Sequence, residues 1–68
     1  MKIQTQTTVE LQFYVAAFWY EEGGMGANEF GSVVDTLEEA IELYKLAKVK
    51  EPLYDWLICS KPVIKVSQ

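Results

Sequence analysis

The sequence predicts a small α+β fold. It expects an antiparallel sheet of three to four strands in the order β-β-α-β, with an extra C-terminal strand as the fourth and one helix packed on one face. Three observations carry that expectation. Residues 9–21, VELQFYVAAFWYE, alternate in the way a strand requires. A cluster of glycines follows at residues 23–26. The stretch DTLEEAIELYKLAK then repeats apolar residues at helical spacing, ahead of a second aromatic strand, YDWLICS.

In the first strand, Val9, Leu11, Phe13, Val15, Ala17 and Trp19 share one face by period-two alternation, and that face reads as core. Tyr14, Ala16, Phe18 and Tyr20 share the other. The preceding KIQTQTTV is also strand-like, being threonine-rich and alternating. Taken as one strand, residues 3–20 would run about 60 Å at 3.3 Å per residue, whereas a compact chain of this length has a radius of gyration near ~11 Å. A break near Thr7 and Thr8 is therefore expected, with a projecting arm that pairs with another chain as the alternative.

EEGGMGAN reads as the reversal, because glycine accepts positive φ and Asn28 tolerates it. NEFGSVV is the returning strand over 28–34, and Gly31 inside it predicts a bulge. The helix starts with Asp35 as N-cap and Glu38 three residues on; Thr36 and Glu39 offer the same spacing one step later. Leu37, Ala40, Ile41, Tyr44 and Ala47 form its inward stripe, Leu43 lies at the edge, and Leu46 points away. Both faces of YDWLICS are apolar, which predicts a central or doubly covered strand. Pro62 interrupts it and marks a bend, a turn or a sheet edge, and VIKV continues or pairs back as a short final strand.

The chain reads as one domain over residues 1–68. It has a single cysteine and no histidine, so neither a disulfide nor a histidine–thiolate zinc site can staple it. Half the residues are apolar, and the core must come from them or partly from a partner chain. A lone cysteine in an apolar run suits a reducing, cytoplasmic setting. The N-terminus does not read as a signal peptide, and no run of about 18 apolar residues exists to span a membrane. Six lysines, no arginine and ten acids give a net charge of −4, which opposes direct binding to nucleic acid or to anionic lipid.

The candidate chemistry is thin. GGMG is followed by Ala27 and Asn28 rather than the Lys-Ser/Thr of a phosphate-cradling loop, and Glu21 and Glu22 before it would repel phosphate. Cys59 has no histidine to act as its base and sits among apolar neighbours. Carboxylates alone could hold magnesium, but no EF-hand spacing is present. The expectation is a non-enzymatic protein with no catalytic residue, no metal and no cofactor. What remains is surface. Tyr14, Phe18 and Tyr20 form an aromatic row on a face that one helix cannot cover. Glu21, Glu22, Asp35, Glu38, Glu39 and Glu42 supply acidic charge, either as a solvated polar face or as a patch that meets a basic protein.

FGSVVDTLEEAIELYKLAK followed by YDWLICSKPVIKV, behind an aromatic-rich strand and a glycine hairpin, resembles in layout and size the small acidic accessory proteins of bacteriophages and mobile elements. Some of those are anti-CRISPR or other anti-defence inhibitors. The resemblance implies stoichiometric binding of a host protein, often through acidic residues that occupy a nucleic-acid site. It carries no shared motif, so it assigns no residue here.

The leading expectation is therefore a protein-binding module that blocks a host defence or nucleic-acid-processing protein, with Tyr14, Phe18 and Tyr20 anchoring that contact or a homodimer. In that version, reversing Glu38, Glu39 and Glu42 to lysine removes binding. A protein that sequesters a small molecule or nucleotide signal by aromatic stacking is the second expectation. A structural subunit of a larger assembly is the third.

Overall fold

The computed structural model describes residues 5–67. The expected α+β architecture is present as β1 (Gln6–Glu21), β2 (Gly24–Val34), α1 (Leu37–Lys50) and β3 (Leu57–Ser67). The sheet is antiparallel in the order β2-β1-β3, so β1 is central. There is no fourth strand among the described residues. The C-terminal VIKV extends β3 in unbroken register, with Leu11 opposite Pro62 and Val9 opposite Ile64. Pro62 is tolerated because β3 is an edge strand, and an edge has one side with no ladder bond to lose. The apolar character of YDWLICS on both faces therefore does not make it central, and Leu57 is left 53% exposed.

β1 does not break at Thr7 and Thr8. It runs without interruption, paired to β3 from Gln6 to Ala16. The strand-like reading of residues 1–4 lies outside the described residues. The reversal is also shorter than expected. Glu22 and Gly23 alone join β1 to β2, with Gly23 at φ 91°, and Met25–Asn28 are already strand. The bulge expected at Gly31 is present. Phe13 pairs with Val34 but Val15 pairs with Phe30, so the register shifts between them, and Gly31 takes φ 74° there. A Cβ at that position would press on Leu43 of the helix.

The helix is capped by Thr36, not Asp35. The Thr36 hydroxyl oxygen accepts from the Glu39 backbone N–H at 3.2 Å and donates to the Glu39 carboxylate at 3.1 Å. Asp35 instead accepts from the Gln12 side-chain amide at 3.3 Å, which ties the start of α1 to the middle of β1. Glu38 and Glu39 in the first turn and Lys48 and Lys50 in the last complement the helix dipole. The Glu51 N–H closes the end on the Ala47 carbonyl at 2.8 Å, and Pro52 follows.

The core lies between α1 and one half of the sheet. Val15, Ala17, Ala40, Ala47 and Trp56 are buried there, with Trp19, Phe30, Leu43, Tyr44 and Ile58 packed against them. The buried stripe of the helix therefore runs through Ala40, Leu43, Tyr44 and Ala47. Leu37 and Ile41 are exposed, and Leu46 is exposed as expected. Trp56 is held by its indole N–H on the Glu51 carbonyl at 2.9 Å and by edge contact with Phe30 at 5.6 Å. An aromatic side chain buries roughly 150–250 Å², so at about 25 cal/mol per Å² it contributes about 4–6 kcal/mol.

Val9 and Leu11 are not core. They are 63% and 55% exposed. The reason is reach. Sixteen residues of β1 extend about 53 Å, while fourteen residues of α1 cover about 21 Å. Beyond Phe13, β1 and β3 continue as a bare two-stranded ribbon. The molecule measures 58 × 32 × 12 Å, with a radius of gyration of 16.6 Å.

Trp19 lies across Gly26, its register partner on β2, where a Cβ would meet the indole ring. Gly26→Ala should therefore cost about 1–3 kcal/mol by overpacking, a fall in Tm of roughly 5–20 °C for a chain this size. An unchanged thermal melt would show that the indole does not rest there.

Candidate functional site

The register sorts the sheet into two faces. On the side away from the helix, Tyr14, Ala16, Phe18 and Tyr20 of β1 are flanked by Met25, Ala27 and Glu29 of β2 and by Leu57 and Cys59 of β3. The pairings are direct: Tyr20 with Met25, Phe18 with Ala27, Ala16 with both Glu29 and Leu57, and Tyr14 with Cys59. Small Ala16 is buried at the centre. The larger side chains around it stay open, with Tyr20 at 88%, Met25 at 60% and Phe18 at 44% exposure. Three strands thus bring together one apolar surface from residues scattered between positions 14 and 59.

The expected aromatic row is accordingly where alternation placed it, although Tyr14 is half-buried. The structure adds Met25 and Leu57, which sequence reasoning assigned to a turn and to a covered strand. Alternation alone could have put Leu57 on a face. Only the strand order puts it beside Ala16.

The acidic residues do not form one patch. Glu21 and Glu22 sit at the β1–β2 tip, while Asp35 sits just before α1, level with Gln12, and Glu38, Glu39 and Glu42 follow in the first half of the helix. Nine residues of strand separate Gln12 from Glu21, roughly 30 Å. Glu29, opposite Ala16, lies on the aromatic face, and Glu22 stands at its tip in the turn. Glu21 alternates to the helix side with Trp19, whose indole donates to its carboxylate at 3.1 Å. Glu39 and Glu42 instead line a groove of about 480 Å³ between α1 and the β2 edge, floored by Val34, Leu43 and Leu46.

A cleft of about 440 Å³ lies at the end of the sheet, lined by Ala17, Phe18, Trp19, Leu53, Tyr54 and Asp55. Its aromatic wall is a row of tilted rings, with Trp19 and Tyr54 5.4 Å apart at 38° and Tyr54 and Trp56 5.4 Å apart at 54°. Among the described residues, no three cysteine, aspartate or glutamate side chains converge as metal ligands. Among the described residues, no helix is long and apolar enough to cross a membrane.

The phenol of Tyr14 is held above its ordinary value of 10.0. The main cause is electrostatic repulsion from Cys59 opposite it, followed by desolvation, a side-chain hydrogen bond with Cys59 and the charge of Glu29. The folded state therefore favours the neutral phenol. That contribution is complete below pH 10 and is lost as pH rises through the folded value. Cys59→Ser should bring the Tyr14 ionisation back toward its ordinary value. Ultraviolet difference absorbance, with Tyr14→Phe to assign the phenol among four tyrosines, reads this directly. An unchanged curve would remove Cys59 as the cause.

No protein-family model, curated protein or solved structure matches this chain.

Proposed function

We propose that this chain is a non-catalytic protein-binding module that docks a partner protein on the helix-free face of its sheet. One observation carries the reading. Phe18, Tyr20, Met25 and Leu57 are each 44–88% exposed and adjoin one another across three strands. Contiguous apolar surface of this kind marks interaction sites, and tyrosine is a typical anchor. Glu29 lies on the face and Glu22 stands at its tip, so the complementary partner presents an apolar site with a basic border. In the inhibitor version of this reading, the partner is a host defence or nucleic-acid-processing protein whose own basic surface is blocked. The net charge of −4 and the lack of arginine favour such a partner over nucleic acid itself.

The helix acids belong to a different surface, and this separates two forms of the proposal. Immobilised chain is used to capture proteins from bacterial lysate, read by mass spectrometry. Removing one anchoring aromatic costs about 2 kcal/mol or more, near thirtyfold in Kd. Phe18→Asp with Tyr20→Asp should therefore abolish retention of a partner that native chain holds, with circular dichroism unchanged. Reversing Glu38, Glu39 and Glu42 to lysine should leave retention intact. Loss in the helix triple variant, with retention in the sheet double variant, would move the site to the acidic helix.

The cleft beside Trp19 and Tyr54 supports a second reading, a small aromatic ligand held by stacking. Asp55 is its only charged lining residue, which disfavours a phosphorylated ligand. A thermal-shift screen comparing nucleosides with nucleotides tests it. Stabilisation by neither class would retire this reading.

A further inference from the structure

Among the described residues of the ribbon beyond Phe13, every ionisable side chain points to one side. Glu10, Lys61 and Lys65 share the helix-free face by alternation, and Glu10 pairs with Lys65 at 3.0 Å. The opposite face carries Val9, Leu11, Pro62, Ile64 and Val66 in register, with Thr7 at the far end and no charge among the described residues. Val9, Leu11, Ile64 and Val66 are 55–63% exposed. This row continues the line of Val15 and Ala17, which α1 buries. The face thus has the pattern of a core and lacks a cover.

We infer that a second copy of this chain covers it, ribbon against ribbon, in a symmetric dimer. The surface area supports this occupant. The chain exposes 5596 Å², whereas a folded monomer of 7.8 kDa exposes roughly 4,400 Å². The excess of roughly 1,200 Å² compares with about 800 Å² contributed by each partner to a standard interface. Electrostatics support it as well. In a two-fold contact the same patch meets itself, and an uncharged row laid on itself opposes no like charges. The shape allows it too. The helix stands on the same side as the row in a molecule 12 Å thick, so the step beside α1 is about as deep as the ~10 Å spacing of packed sheets. A partner ribbon fills that step in the helix layer. Leu37 and Ile41, in the half of the helix adjoining the ribbon, are 50% and 36% exposed and extend the contact.

The dimer uses the opposite face, and the opposite end, from the proposed partner site. The two readings therefore fail separately. Sedimentation equilibrium at about 100 μM, well above the Kd range of standard interfaces, should give twice 7.8 kDa for native chain. Val9→Lys with Ile64→Lys should give the monomer mass, with the near-ultraviolet signal of the Trp56 core retained. A milder pair, Val9→Thr with Ile64→Thr, keeps the β-branched shape and should weaken the dimer at least tenfold. In a Cys59→Ser background, Ile64→Cys should cross-link on oxidation and Lys65→Cys should not. A monomeric native chain, a dimer that survives the lysine pair, or cross-linking through Lys65→Cys instead would each overturn the inference.

Discussion

A strand advances more than twice as far per residue as a helix, and that ratio shapes this molecule. α1 covers about 21 Å of a central strand that runs about 53 Å. Nothing among the described residues makes up the difference. β2 spans Gly24–Val34 and pairs only as far as Phe13, so it covers the same half of β1 as the helix. β3 alone accompanies β1 along its full length. One end of the molecule is therefore two layers and three strands, and the other is one layer and two strands.

The exposed apolar surface divides accordingly. At the three-strand end the helix seals one face and leaves the aromatic face open. At the ribbon end the helix-side row is open and the other face is charged. The two open surfaces lie on opposite sides and at opposite ends. Each is built from residues that alternation would place in a core or an interface. Such a chain has room for two different contacts that do not compete, one with a copy of itself and one with a protein of other chemistry.

Stability is graded along the same axis. The three-strand end has Val15, Ala17, Ala47 and Trp56 buried and an indole hydrogen bond to a backbone carbonyl. The ribbon has strand pairing and the exposed Glu10–Lys65 ion pair, the only one among the described residues. An exposed pair contributes about 0–1 kcal/mol, and two-stranded ribbons are marginal by themselves in water. Local opening should therefore begin at the ribbon. Covering its apolar row would stabilise the part of the fold that needs it most.

Local chemistry was legible in the residues. Alternation placed Val15, Ala17 and Trp19 on the helix side and Tyr14, Phe18 and Tyr20 opposite. The Gly31 bulge and the burial of Ala40 and Ala47 followed from backbone sterics and helical period. What the chain order could not supply was position in space. Pro62 was compatible with a bend, a turn or an edge, and only the strand order settles on the edge. Asp35 and Thr36 offered equivalent caps until the Gln12 amide claimed the aspartate. Val9 and Leu11 share the periodicity of Val15, yet the helix ends short of them. Met25 and Leu57 joined the aromatic surface only when β2 and β3 were laid on either side of β1. Periodicity reports which way a side chain points, and that is a local property. Whether anything stands there to meet it depends on the lengths and order of elements distant in sequence, and only the assembled sheet decides that.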